Sequence, residues 1–411
     1  MSDADSDTRV PDSDFAFNPF DPNVTQHMWP LLARMRAEAP ISRPVEGMAF
    51  VARYADTAEV FKDAKRFSSS EGFRAPGVVV PEEESFLGEI DPPLHPKLRR
   101  LLLRAFTLQQ ANASEPWIRQ RVRAMLDVFT AQGGGDMMHD IATPLPASVA
   151  AHALGIADED HDRVSRWCHD LLHSTWPQTN ATERGVGIAG GFPEFAELLD
   201  DLIAQRRTLG ADAPDDLMTR MVQATDSDGW RLTDVHIRTL SVNTLAGSLS
   251  STYLLGNLFY RFVTDPANFT EVLREDPAKI SLAVEESLRF EPPVLFLFRT
   301  AKIDTQVGGC PIRQGERLIT GIASANRDET KYANAGEYRL DRESLPEHLG
   351  FGAGPHICLG DHLTRVQGRV MLEEMLAVFG PGRLQLAPGY VKRLVPMFLE
   401  YGPETLDVVV S

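Results

Sequence analysis

The run Phe351-Gly352-Ala353-Gly354-Pro355-His356-Ile357-Cys358-Leu359-Gly360 decides how this chain is read. Two glycines ahead of a cysteine allow backbone conformations closed to other residues and let the main chain approach a flat ligand. Beyond the cysteine, Leu359, Leu363, Val366, Val370, Met375 and Phe379 recur at helical spacing, which places Cys358 at a helix start. Unpaired amide groups and the positive end of the helix dipole favour a thiolate there, and the thiolate is the form that binds metal. A lone cysteine is otherwise a small buried hydrophobe, and that is the reading for Cys168 and Cys310. Three cysteines so scattered build neither a disulfide framework nor a CxxC metal site, which suits a reducing cytosol.

Outward from that run, the chain has 411 residues, 43% hydrophobic and 24% charged, enough for a large core without disulfides. A net charge of -17 disfavours nucleic acid as partner, because phosphate binding needs cationic surface. The acidic, polar start over residues 1–14 reads as a disordered tail, with residues 15–411 expected to form one domain. It resembles neither a signal peptide nor an anchor, and no stretch approaches the roughly 18 apolar residues a spanning helix needs, so a cytoplasmic protein without membrane contact is expected. Most segments carry the helical period; the longest runs from Thr233 to just before Asp265-Pro266 and is apolar almost all round, as a central helix would be. Strand-like runs are short, near 48–53, 294–300, 306–312, 317–322 and 405–410. The fold class is therefore mainly α with minor β.

The ten-residue run matches the haem-binding pattern FGxGxHxCxG at every fixed position, and the chain resembles the cytochrome P-450 family, soluble bacterial type. The resemblance implies a triangular helical prism with small β-sheets and a long central helix. It implies haem b as cofactor, Cys358 as the metal ligand, and an open opposite position for O2. A thiolate ligand pushes electron density to the iron and favours O–O cleavage.

Three further matches support it. Glu286-Ser287-Leu288-Arg289 is similar to the family's ExxR, and with Arg342 it is expected to form a buried structural network holding the haem-binding core. Asp91-Pro92-Pro93-Leu94-His95-Pro96-Lys97-Leu98-Arg99 is similar to the entry into the helix flanking the haem. His95, Arg99, Arg299 and His356 are the positions whose family counterparts bind the propionates, which need cationic partners when buried.

The central helix departs from the family pattern A/G-G-x-D/E-T. Ala246 and Gly247 keep the room over the haem, but Leu249 stands at the acid position and Ser250 at the alcohol position. Leucine relays no proton, and Ser250 can bond back to its own helix. Ala246, Gly247 and Ser250 are still the candidate catalytic positions. The expected activity is monooxygenation, the oxidation of a small hydrophobic metabolite of secondary metabolism, with substrate groups or water completing the proton path. Alternatives are a peroxide-driven enzyme, dehydrogenation or coupling, and a non-catalytic haem-containing binding or scaffold protein.

By position, the substrate pocket is expected to include Val79, Phe86, Leu245, Leu249, Val294, Phe296 and Met397. Arg74, in the loop before Asp91, is either a carboxylate-steering group or a surface charge. No flavin or iron–sulfur segment is present, so electrons are expected from a ferredoxin or flavodoxin with its reductase. Lys97, Arg99, Arg100, Arg104, Arg365 and Arg369 form a basic cluster suited to an acidic partner, or an ordinary solvated face. The resemblance also implies a monomer.

Overall fold

The computed structural model describes residues 18, 20, 21, 24–75, 77–103, 106–342, 345, 347–395 and 399–411. The expected disordered tail over 1–14 lies outside them, as do Arg104 and Met397.

Helices dominate, as the periodicity predicts. Thr107 caps the helix Leu108–Ala131 by accepting from Gln110 N, and Thr233 caps Asp234–Gly247 by accepting from His236 N. The expected single central helix is instead two, Asp234–Gly247 and Ser250–Thr264. Between them the backbone tightens to i→i−3 bonding: Ser248 N donates to Leu245 O, Leu249 N to Ala246 O, and Ser251 N to Ser248 O. The local sequence supplies the cause. Ser248 Oγ donates to Leu245 O at 2.6 Å and Ser250 Oγ to Gly247 O at 3.1 Å, pulling on carbonyls that the helix ladder would use. Gly247 adds its low helix propensity at the same point.

The two central helices join the two main cores. Leu240, Val242, Leu245 and Leu249 pack with Trp176, Phe195 and Leu199. Leu254, Leu258 and Phe259 pack with Val366, Val370 and Met371 of the helix Asp361–Val378. An ion-pair lattice ties that last helix to Leu108–Ala131. Arg119 reaches Glu115, Glu373 and Glu374, and Arg369 reaches Glu115 and Glu373.

The largest sheet has five strands in the order Ile41–Val45, Met48–Val51, Arg317–Gly321, Phe296–Ala301, Phe67–Ser68. Arg317–Gly321 runs parallel to Met48–Val51 and antiparallel to Phe296–Ala301, with Leu318 opposite Arg299. This register sends Phe296 and Phe298 into the core under the sheet and turns Arg299 to the other face, toward the thiolate loop. The run near 306–312 is a hairpin of Thr305–Val307 and Cys310–Ile312.

Candidate active site

Cys358 lies between a short 3₁₀ turn, Gly354–His356, and the helix Asp361–Val378. Gly352 and Gly354 both have positive φ, +72° and +70°. At Gly354 a Cβ would also come 2.7 Å from Phe61 O, so glycine is required twice over. The Cys358 amide donates to Phe351 O at 2.9 Å, closing the loop. The exposed surface of Cys358 faces a cavity, while protein encases the residue on its other sides. Burial pushes its thiol up, against the opposing pull of the Gly360 amide, Arg99 and Arg365. Burial thus opposes the thiolate that the helix start favours.

Behind the loop lies a fully buried polar network. Glu286 and Arg289, both without solvent exposure, pair through two bonds of 2.7 Å. Arg289 also donates to the carbonyls of Asn326, Ala335 and Glu337. Arg342 Nε reaches Glu286 Oε1 at 3.0 Å, so the three residues expected to associate do meet. Four residues outside that expected set extend the network. Asn326 Oδ1 accepts Leu349 N at 2.7 Å, directly upstream of the loop. Glu285 receives Arg365 and His348, and these bonds outweigh the upward push of burial and hold it at about 2. Glu285 is signalled in the sequence only by adjacency to Glu286 and Asn326 is a lone Asn, while Arg365 reads as part of the basic cluster.

At the other side of the loop, two histidines and two arginines converge. The His95 and His356 rings stack at 4.0 Å. His95 Nε2 and both ring nitrogens of His356 are buried without a hydrogen-bond partner among the described residues. Burial, reinforced by Arg99 and Arg299, lowers His95 to about 4. Burial lowers Arg299 to about 10, with Asp91 opposing. Arg99 Nη2 turns inward to Ile357 O at 2.6 Å, and Arg99 lines the cavity. Buried ring nitrogens without partners, beside two arginines that donate to the backbone carbonyls of Ile357 and Phe298, mark a place for bound anionic groups.

The cavity of about 460 Å³ opens above Cys358, bounded by Ala246, Gly247 and Ser250 of the central helices. Of the expected substrate contacts, Phe86 and Val294 line it. Four do not. Leu245 and Leu249 stand one turn apart and are buried in the core, outside the cavity lining. Phe296 packs edge-on against Phe50, their centroids 5.7 Å apart. Val79 is 90% exposed, on the outside of its loop. Met397 lies outside the described residues. Residues that no periodicity singled out take their place, among them Phe106, Leu172 and Trp176. Arg74 is not a surface charge: it is buried, bonded twice to Glu89, donating to Trp176 O and lying 4.3 Å over the Trp176 ring.

The basic cluster is largely neutralised. Arg365 pairs with Glu285 and Asp361, Arg369 with Glu115 and Glu373, and Arg99 faces the cavity. Lys97 and Arg100 remain exposed, with no ion pair among the described residues.

Comparison with known proteins agrees with this geometry. Residues 280–385, which span the Glu286 network and the thiolate loop, match the family model for cytochrome P450. Erythromycin C-12 hydroxylase of Saccharopolyspora erythraea is 34% identical over 351 residues, 85% of this chain and 84% of that protein. The chain belongs to the cytochrome P450 family. Vitamin D(3) 25-hydroxylase of Pseudonocardia autotrophica is 32% identical over 86% of both chains. A solved mutant of P450 EryK in complex with erythromycin B superposes with a TM-score of 0.82 at 32% identity, covering 95% of this chain and 97% of that one. CYP109E1 from Bacillus megaterium in complex with testosterone gives 0.80 at 27% identity over 96% and 100%. As a P450 the protein is a monooxygenase with haem b as cofactor, and its residues fit that group. Cys358 would offer the sulfur, and the unpartnered ring nitrogens of His95 and His356, with Arg99 and Arg299 beside them, would hold the two propionates. Among the described residues no helix is long and apolar enough to cross a membrane.

Proposed function

We propose that this P450 oxygenates a small, largely apolar metabolite and takes its electrons from a separate ferredoxin or flavodoxin. The observation that carries the reading is the cavity over Cys358, walled by Phe86, Phe106, Leu172, Trp176, Val294 and Leu297. The names of the erythromycin and vitamin D(3) hydroxylases support a small-molecule substrate.

Haem, when bound, supplies the iron at which O2 is activated. The chain supplies position, exclusion of water and protons. Small Ala246 and Gly247 leave space above the thiolate, and the apolar wall removes water from the substrate's face. Glu286, Arg289 and Arg342 hold the loop rigid and touch nothing in the cavity. Leu249 is packed in the core, so the carboxyl relay position is closed by orientation as well as by chemistry. Ser250 Oγ is committed to Gly247 O. It lends its lone pairs to a cavity water or substrate hydroxyl, which carries the proton instead.

The test is turnover with a surrogate ferredoxin and its reductase under labelled O2. One labelled oxygen atom in the product, in proportion to NADPH consumed, is the expected result. Product that forms equally well without O2 overturns the reading.

A further inference from the structure

We propose that Glu400 makes this cavity selective for a cationic nitrogen carried by an otherwise apolar substrate, a reading that rests on the cavity's being the substrate site. Glu400 pairs as an isolated bridge with Val294, and both residues line the cavity, beside Leu297 and Leu399. The ionisable group beside it is Tyr253, one turn beyond Ser250 on the helix Ser250–Thr264. The position of Tyr253 is set by Gly402: a Cβ there would meet the Tyr253 ring at 2.7 Å, so the tyrosine lies directly on that backbone.

Four glutamates elsewhere in this protein hold arginines, while the buried Asp328 is held by Tyr54 N and by Thr330. Glu89 has Arg74, Glu286 has Arg289, Glu374 has Arg119 and Arg123, and Glu285 has Arg365. Glu400 has no salt-bridge partner among the described residues, and Tyr253 is the one ionisable group that acts on it. The other charged groups of the cavity stand apart from Glu400. Arg74 pairs with Glu89, and Arg99, Arg299 and His356 gather with His95 on the far side of the loop. Burial consequently pushes Glu400 up to about 7, with Tyr253 pulling it down.

An enclosed carboxylate in an apolar wall is unfavourable as an anion until a cation joins it. A ligand with a protonated or quaternary nitrogen fills that role and holds Glu400 ionised; a neutral ligand of the same shape leaves it protonated. The preference for the cation is therefore full above about pH 7 and fades below it.

The test uses the haem-loaded protein and two probes of matched chain, dodecyltrimethylammonium and dodecanol, below their aggregation limits, with binding read by equilibrium dialysis. A quaternary nitrogen cannot ligate iron, so the reading reports the wall alone. The ammonium probe is expected to bind about tenfold or more tightly than the alcohol near pH 8, and the margin to shrink several-fold near pH 6. Glu400→Gln should erase the margin while leaving alcohol binding and the ferrous carbon monoxide band intact. Tyr253→Phe removes the hydroxyl that holds Glu400 down, so it should keep the margin at high pH and move its midpoint upward. Equal binding of both probes by the wild type, or a margin that survives Glu400→Gln, overturns the proposal. If Glu400→Gln does not fold, an unmoved midpoint in Tyr253→Phe overturns it. Selectivity without oxygenated product counts against the monooxygenase reading alone, and product without selectivity counts against Glu400 alone.

Discussion

The two sides of the thiolate loop are built on opposite rules. Behind it, every charge has its partner: Arg289 spends its donors on Glu286 and three carbonyls, and Arg342 and Asn326 close the remaining gaps. In front of it, groups are left wanting. His95 and His356 have bare nitrogens, Arg299 is buried with little compensation, and Glu400 has only a tyrosine. A buried network that is satisfied internally specifies one geometry; one that is unsatisfied specifies a ligand. The contrast separates the scaffold of the site from its binding face without reference to any ligand.

The contrast can be broken most completely at its centre. Cys358→Ser should abolish the thiolate-type ferrous carbon monoxide band and turnover together. Survival of that band would remove Cys358 as ligand.

On the satisfied side, Glu286→Ala strands Arg289 as a buried unpaired charge. A loss of about 3–5 kcal/mol is expected in chemical denaturation, with haem retention falling alongside it. A loss near zero would mean that the network is ornamental.

A third variant tests the orientation of the central helix. Leu249→Asp would restore the family's acid by sequence, but the side chain enters the core and not the cavity. It should cost about 2–4 kcal/mol of stability and leave the product formed per NADPH no better than before. Improved coupling at unchanged stability would show that residue 249 does reach the proton path.

On the unsatisfied side the sharper probe is pH. The folded-state pKa of His95 is depressed to about 4 from an ordinary 6.5, so between these values the unfolded chain binds more protons. Stability of the haem-free protein should therefore decline as pH falls from about 6.5 toward 4. With haem loaded, propionates give the imidazolium a partner and the decline should flatten. Parallel pH profiles, measured by thermal melting of the two forms, would disconnect His95 from the propionates.

The smallest effect is expected on the outer face. With Arg365 and Arg369 already paired, reduction by an acidic ferredoxin should slow by only about twofold between low and physiological salt. A steep dependence would assign Lys97 and Arg100 a larger steering role.

The parts legible in the sequence were those fixed by local chemistry. Cys358, its flanking glycines and the Glu286–Arg289 pair are short-range patterns, and the distances between them in the fold follow the pattern. The central helix was legible as an apolar run but not as two pieces. Its break comes from hydroxyls of Ser248 and Ser250 competing for carbonyls, and propensity alone does not rank that competition. The pocket was the least legible part. Leu249 and Ser250 are neighbours in the chain, yet about 100° of helical rotation puts one in the core and the other over the thiolate.

What the sequence determined by itself is the chemistry of the centre: a cysteine at a helix start after a glycine-rich turn, a family, and a missing acid. What the tertiary structure alone decided is which charges are paired. Arg74, Arg365 and Glu400 look alike as isolated charged residues. Only the packing of distant segments gives the first two their partners and leaves Glu400 in an apolar wall, because pairing depends on distances of a few ångströms between residues far apart in the chain.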